Sequence, residues 1–166
     1  MTDTELYERW EYRTEQILLA VPRTRPECAA AEPYALDEES IRSKAYLADS
    51  TPAVPLALFS EVPFVLLAPN NDTRIRADRM LREADITPEI ALEVQQQATA
   101  YMIAATGMGA VFISDMAVEK LPAHGALAYY KPGSEAARRS VYFTMKKHKQ
   151  KTRAVEEFLR LITENK

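Results

Sequence analysis

The sequence predicts an α/β fold in which a mostly parallel sheet is flanked by helices. Apolar runs that suit strands alternate with segments of helical periodicity from Glu15 to about Pro122. The runs are continuously apolar instead of alternating, as in strands covered on both faces. Parallel strands are joined by crossover helices, so an order of strand, helix, strand, helix, strand predicts a parallel α/β lobe.

Two predicted strands and a long connection occupy the first part of the chain. EQILLAVP, residues 15–22, is a short apolar run that ends in Pro22, and PFVLLAP contains the second strand, about Phe64 to Leu67. The proline-rich segment between them is predicted to be mostly surface loop. Within it, Asp37 can cap a short helix whose first turn holds two glutamates.

An amphipathic helix is predicted directly after the second strand. Its apolar positions recur at helical spacing, which places its arginines on the outer face; they are Ala77, Met80, Leu81 and Ala84. The segment from Asp85 to Pro88 is predicted to end this helix.

The next segments repeat the same alternation. IALEV, Ile90 to Val94, is predicted to be a third buried strand, and QQQATAYMIAATG a helix. Gly107 suits the position just after that helix, where a left-handed backbone costs glycine little. The run VFIS is predicted to be a fourth strand, followed by the small helix DMAVEKL.

The last part of the chain contains two β-rich runs and one helix. ALAYYK and RSVYFTM are joined by PGSEAARR, and TRAVEEFLRLITEN is predicted to be a closing helix with Thr152 as its N-cap. The helix should bury one apolar face, formed by Val155, Phe158, Leu159 and Ile162.

Composition excludes several classes of protein. Hydrophobic residues make up 47% of the 166 residues and charged residues 27%, which suits an ordinary folded domain. The net charge of -3 does not favour DNA binding by this chain alone. Cys28 is the only cysteine, so no internal disulfide can form. Charged opening residues and the lack of an apolar run of ~20 residues predict a cytoplasmic protein without a membrane span.

No catalytic motif is present, and no cofactor or metal site is predicted. The sequence has no GxSxG, P-loop or GxGxxG motif. Its two histidines, His124 and His148, lie in no recognisable motif, and a surface role is favoured for both. The basic segment from Arg138 to Arg153 could face an anion or DNA, but a solvated strand end and helix start explain it better. The sequence therefore does not predict an enzyme.

Polar residues cluster after two of the predicted strands. In an open parallel sheet, ligands bind beyond the carboxyl ends of strands, where helix N-termini favour anions. The first cluster is Asn70, Asn71, Asp72 and Thr73, in which Asp72 or Thr73 could cap the helix; the second is Gln95, Gln96, Gln97 and Thr99. Either these residues contact a ligand, or they only cap helices and turn loops.

The order and spacing of these motifs, over about Glu15 to Ile162, resemble the effector-binding domain of LysR-type transcriptional regulators. The most telling positions are Arg74, Pro88, Glu93 and the Gly107-Met108-Gly109 turn. The resemblance implies a periplasmic-binding-protein-like (type II) lobe, with returning strands and a C-terminal helix that belong to an incomplete second lobe. A small polar or anionic effector would lie in the cleft between the lobes.

The resemblance also implies boundaries and site residues. Residues 1–14 would enter from the first lobe, 15–122 would form the effector-binding lobe, and 123–166 would return to the first lobe. Effector contacts are then expected from both polar clusters and from the family position that follows the first of them: Asn70, Asn71, Asp72, Thr73, Arg74, Gln96, Gln97 and Thr99.

Partners and departures follow from the same resemblance. DNA would be contacted only through an N-terminal winged helix-turn-helix domain that this chain lacks, and homo-oligomers are expected because the return strands ALAYYK and RSVYFTM would have open edges. The family's glycine after the first long helix is Asp85 here, and the segment from Pro22 to Pro55 is longer than the common pattern. The alternative function is a solute-binding or protein-interaction module of the same fold.

Overall fold

The computed structural model describes residues 6–122 and 125–164, so His124 lies outside the described residues. These ranges contain seven strands: β1 (Tyr7–Pro22), β2 (Ala35–Leu36), β3 (Phe64–Leu67), β4 (Ile90–Val94), β5 (Val111–Ser114), β6 (Leu127–Tyr130) and β7 (Arg138–Lys146). They also contain six α-helices: α1 (Glu27–Ala30), α2 (Glu38–Arg42), α3 (Asp72–Glu83), α4 (Gln97–Ala105), α5 (Asp115–Lys120) and α6 (Arg153–Glu164).

The chain divides into two compact units. The large unit is Gln16–Arg138, and the small unit combines Met1–Glu15 with Arg139–Lys166. The large unit thus continues past residue 122, where the sequence places the end of the effector-binding lobe. Assignment of the two units to the two lobes of the family stays a prediction.

The main sheet of the large unit is mixed, with the order β2, β6, β1, β5. Strand β1 is antiparallel to both neighbours, with Leu19 opposite Phe112 of β5 and Tyr130 of β6. Strands β3 and β4 are parallel, and a parallel bridge from Phe64 to Ala110 places β3 beside β5.

The expectation of a mostly parallel sheet is therefore correct only in part. It holds where a crossover helix joins two strands, as in β3–α3–β4 and β5–α5–β6. It fails for β1, because this strand enters the large unit directly from Glu15 of the small unit and not through a crossover. The expected open edge of ALAYYK is also wrong, since β6 is paired on both sides, with β1 and β2.

The core of the large unit is built from the predicted apolar runs. The second half of β1, from Gln16 to Pro22, and all of β3 and β5 are buried. Helix α3 buries Ala77, Met80 and Leu81 as its periodicity predicts. Strand β4 departs from the prediction of a buried strand, with Ile90 45% and Leu92 38% exposed, because β3 is its only paired neighbour among the described strands.

Four local signals for the ends of helices behave as predicted. Asp37 caps α2 by accepting a hydrogen bond from Ser40 N at 2.5 Å. Gly107, after α4, has a φ of 98°, and Asp85, after α3, has a φ of 58°. A non-glycine residue therefore makes the left-handed turn after α3. The predicted N-cap of the closing helix is confirmed, since Thr152 Oγ1 accepts from Val155 N at 3.4 Å.

The small unit is held together by aromatic and ionic contacts between β1, β7 and α6. Strand β7 pairs with β1. The ring of Phe143 contacts Tyr12 at 5.2 Å and Phe158 at 5.0 Å between centroids. Lys151 pairs with a carboxylate of β1, Glu8, at 2.6 Å. The predicted apolar face of α6 is only partly covered, because Phe158 remains 46% exposed.

No helix in the described ranges is long and apolar enough to cross a membrane.

Candidate functional site

The carboxyl ends of β3 and β4 meet at one edge of the large unit. Leu67 and Val94 are partners in the parallel register, and Ala68 N donates to Val94 O at 2.9 Å. Helix α3 begins at Asp72 and helix α4 at Gln97, a few residues beyond these strand ends. The first turns of two helices therefore start from adjacent strands, as the sequence predicts.

The N-terminus of α3 is already capped. Asn71 is the N-cap residue, and its Oδ1 accepts a hydrogen bond from Thr73 N at 2.9 Å. The expectation that Asp72 or Thr73 caps this helix is wrong, because an N-cap residue has an extended backbone, which Asn71 has with a ψ of 134°, whereas Asp72 already lies within the helix. Asp72 accepts instead from Arg76 Nε at 2.8 Å. Thr73 is buried.

Arg74 forms hydrogen bonds that link the end of β3 to both α3 and β4. Its Nη1 donates to Leu67 O at 2.7 Å and to Glu93 Oε2 at 2.9 Å, and its Nε donates to Asp78 Oδ1 at 2.8 Å. Burial alone would lower the pKa of Arg74, but the hydrogen bonds to Asp78 and Glu93 hold that pKa above its ordinary value. The guanidinium is thus committed to protein partners.

The sequence predicts that the arginines of α3 face solvent, but not all of them do. Arg76 Nη1 donates to Ala136 O at 3.1 Å and to Arg138 O at 3.2 Å, which ties α3 to the segment before β7. Arg79 fits the prediction, since its side chain is 61% exposed and pairs only with Glu83 among the described residues. The difference is tertiary, because a distant segment supplies the carbonyls that Arg76 contacts.

The N-terminus of α4 differs from that of α3. Gln96 is its N-cap residue, but the Gln96 side chain makes no capping hydrogen bond, and the first turn holds no acidic residue. The backbone N–H groups of this turn therefore lack a side-chain acceptor and carry the positive end of the helix dipole. Such an end favours an anion.

Gln97 connects this helix end to a third strand end. Its Oε1 accepts from Ser114 Oγ at 3.3 Å, at the carboxyl end of β5. Its Nε2 is buried and has no hydrogen-bond partner among the described residues. Asn70, Gln96 and Thr99 are exposed at the same strand ends. The structure thus leaves exposed amides and one unpaired buried amide donor beside the open N-terminus of α4.

A family comparison decides the class of this domain. Residues 41–166 match the family model described as the LysR substrate binding domain. The chain belongs to this family. No relative among the curated proteins matches its sequence significantly.

Solved structures of LysR substrate-binding domains share its fold. The regulatory domain of CcmR from Synechocystis PCC6803, in complex with 2-PG, superposes with a TM-score of 0.73 at 13% identity, covering 99% of this chain and 70% of that one. The effector-binding domain of QuiR, in complex with shikimate, has a TM-score of 0.70 at 12% identity, with coverages of 99% and 68%. Full-length CbnR complexed with its target DNA has a TM-score of 0.60 at 17% identity, with coverages of 95% and 48%.

The sequence analysis missed a buried carboxylate at the end of β5 in this LysR substrate-binding domain. Asp115 is 1% exposed and accepts from Tyr46 Oη and Lys44 Nζ, both at 2.7 Å, and from Gln16 N at 3.2 Å. The contacts are internal, so Asp115 fixes the proline-rich connection and β1 against the strand end. Its position directly after the strand VFIS is the only sequence signal.

A second missed feature is a cavity lined by Gln16, Lys131 and Arg138. Lys131 directly follows β6. The rule that ligands bind beyond the carboxyl ends of strands would therefore have identified it, as it did Asn70, if the sequence analysis had assigned ALAYYK to the large unit. Among the described residues, no group of three or more His, Cys, Asp or Glu side chains is placed to hold a metal ion.

Proposed function

We propose that this LysR substrate-binding domain senses a small anionic metabolite that binds at the carboxyl ends of β3 and β4. The observation that carries the proposal is the first turn of α4, which has neither a side-chain cap nor an acidic residue. An oxyanion there would accept hydrogen bonds from the free backbone N–H groups and interact favourably with the helix dipole.

The polar side chains around this turn would complete the contacts. Gln97 Nε2 is a donor without a partner among the described residues, and a ligand oxygen would satisfy it. Asn70, Gln96 and Thr99 offer exposed donors and acceptors at the same edge. Asn71 contributes through its side-chain NH₂ group, because its Oδ1 is engaged in the cap.

Three other predicted site residues would act by holding the loop in place. Arg74 is bound by two carboxylates and a carbonyl, Asp72 is paired with Arg76, and Thr73 is buried in the first turn of α3. We assign them a positioning role, because Arg74 and Asp72 are ion-paired within the protein and Thr73 is buried. Similar domains solved in complex with 2-PG and with shikimate support a small molecule as the ligand.

In the whole regulator, we propose that effector binding modulates transcription. This chain covers 48% of full-length CbnR, which was solved with its target DNA. The DNA would be contacted by a separate N-terminal domain, in a cytoplasmic homo-oligomer. The net charge of -3 supports this division, because the chain itself offers no overall attraction to phosphates. Catalysis has no part in the proposed role.

Isothermal titration calorimetry of the 166-residue protein against a panel of small carboxylates and phosphate esters tests the proposal. At least one compound should bind, and Gln97→Ala and Thr99→Val should each weaken that binding about 10-fold, the effect of one lost hydrogen bond to a charged group. Thr87→Val is the matched control, because Thr87 is exposed at the amino end of β4. Equal affinity in the wild type and in both site variants would refute the site.

A further inference from the structure

A second cavity lies at the carboxyl end of β6. It has a volume of about 240 Å³, and its polar lining comes from Gln16, Lys131, Ser134, Glu135 and Arg138. Gln16 and Arg138 are the first and last residues of the large unit. Strands β5 and β6 are both antiparallel to β1, so their carboxyl ends lie at the same edge of the sheet.

This cavity is separate from the site at β3 and β4. The neighbouring strands run in the order β3, β5, β1 and β6, which puts three inter-strand spacings between the ends of β3 and β6. At about 4.8 Å per spacing, the separation is about 14 Å. A small metabolite bound at the first site therefore cannot fill the second.

Gln16 is the residue that marks the cavity as a binding site. Its side chain is nine-tenths buried and lines the cavity, yet its amide group makes no hydrogen bond to another described residue. Its backbone N is bonded to Asp115 Oδ1 at 3.2 Å, which holds the residue in place. This unpaired amide opens into the cavity, so its NH₂ group can donate to an oxygen atom of a molecule bound there.

Lys131 supplies a positive charge and one further hydrogen-bond donor. Its Nζ contacts Thr51 O at 3.3 Å and Tyr46 O at 3.5 Å, which are long hydrogen bonds. An ammonium group has three donors, so one remains for a ligand. No carboxylate in the described part of the chain is paired with Lys131. Its backbone is fixed by Val54 N, which donates to Lys131 O at 2.8 Å.

The charges around the cavity favour an anion. Lys131 and Arg138 are positive and Glu135 is negative, so the lining carries one net positive charge. The side chain of Arg138 is exposed and has no ion pair with any residue of the described ranges, which leaves its guanidinium available from the solvent side. Ser134 is committed elsewhere, since its Oγ donates to Glu83 Oε2 at 2.5 Å.

We propose that this cavity binds one carboxylate or phosphate group of a small molecule. The Gln16 amide and the Lys131 ammonium donate to its oxygens from inside, and the Arg138 guanidinium pairs with it from the solvent side. The volume is below that of pockets for drug-sized ligands, so it suits a single anionic group. Ala53, from the proline-rich connection, also lines the cavity. The site therefore depends on a part of the chain outside the polar strand-end clusters.

The test is an NMR titration of the 166-residue protein with inorganic phosphate and, separately, with succinate, each at constant ionic strength set with chloride. The side-chain amide resonance of Gln16 should shift in a saturable manner with at least one probe. Lys131→Met and Arg138→Gln should each weaken binding about 10-fold, because each removes one charge-assisted hydrogen bond. Lys120→Met and Arg82→Gln are the matched controls, since both residues are exposed and outside this cavity.

The two sites are distinguished by crossing the variants. Gln97→Ala should leave the Gln16 titration unchanged, and Lys131→Met should leave effector binding at the β3 and β4 ends unchanged. The proposal is overturned if the Gln16 resonance does not move with either probe, or if it saturates equally in Lys131→Met and in the wild type. Urea unfolding of each variant confirms that the comparison is made on folded protein.

Discussion

Arg74 Nη1 donates a hydrogen bond to Glu93 Oε2 across 2.9 Å and so joins helix α3 to strand β4. The same nitrogen bonds Leu67 O at 2.7 Å, at the end of β3. One side chain, 10% exposed, therefore holds together the helix and the two strand ends that border the candidate effector site. Strand β4 is exposed, and β3 is its paired neighbour. The contact between Arg74 and Glu93 therefore helps to hold the carboxyl end of β4 in place.

Arg74→Met is expected to lower the free energy of unfolding by about 1–3 kcal/mol, because it leaves the Leu67 carbonyl and the Asp78 carboxylate without their donor. Urea denaturation measures the change. Arg79→Met is the matched control, since Arg79 and Glu83 form an exposed pair four residues apart, for which a much smaller loss is expected. Equal losses in the two variants would show that Arg74 acts as an ordinary surface arginine.

The buried hydroxyl groups of Tyr101 and Tyr129 lie 2.8 Å apart. Burial, and then the hydrogen bond with Tyr101, raise the pKa of Tyr129 far above its ordinary value of about 10. A raised pKa favours the protonated form in the folded state. Its contribution to stability is therefore fully present below pH ~10 and is lost as the pH rises from there toward the pKa of the folded state.

Tyr129→Phe should reduce this alkaline loss of stability, because a phenylalanine does not ionise in the unfolded chain. At pH 7 the same change should cost about 1 kcal/mol, the value of one hydrogen bond. Urea unfolding at a series of pH values gives both quantities, and Tyr142→Phe, at a residue 46% exposed, is the control at pH 7. A Tyr129→Phe protein with the wild-type slope against pH above 10 would contradict the assignment.

Asp85 makes the turn after α3 with a φ of 58°, in the left-handed region. A residue with a Cβ pays roughly 1 kcal/mol there, although aspartate tolerates the conformation better than most. Asp85→Ala should therefore lower the midpoint of thermal unfolding, whereas Asp85→Gly should leave it unchanged or raise it. The two variants differ only in the Cβ, so calorimetry that ranks alanine above glycine would exclude backbone strain at this position.

Helix α6 exposes two large apolar side chains, Phe158 at 46% and Leu161 at 47%. Such residues on one short helix favour contact with another chain, so the protein is expected to associate at high concentration. Light scattering during size-exclusion chromatography should show a mass that rises with concentration, and Leu161→Glu should reduce that rise. Ala154→Glu adds the same charge at an exposed position of the same helix and is the control. A wild-type protein that stays monomeric at all concentrations would contradict this expectation.

Local patterns were enough to predict most of the elements. The bounds of β3 and β4 match the apolar runs from Phe64 to Leu67 and from Ile90 to Val94, because their turn-forming neighbours end them. The turns at Asp85 and Gly107 and the cap at Asp37 follow from chemistry within a few residues. Asn71, one residue before the predicted cap, shows the usual uncertainty at a helix start.

Distant contacts account for what the sequence analysis missed. The antiparallel direction of β1 depends on where it enters the large unit, and the exposure of β4 depends on its having one paired neighbour. The apolar run of each strand predicts neither the direction of β1 nor the exposure of β4. Glu93, one partner of Arg74, and Ala136, one partner of Arg76, likewise lie 19 and 60 positions away in the chain.

The order of strands and helices, the polar composition of two strand ends and the likeness to LysR effector domains could all be read from the sequence, because they depend on neighbouring residues and their spacing. Which of the polar residues are engaged and which remain open depends instead on the packing of the folded chain. That packing joined Arg74 to Glu93, left the first turn of α4 uncapped, and placed Gln16 and Lys131 in the lining of one cavity. Pairings of this kind arise when the sheet assembles, which is why spacing along the chain does not reveal them.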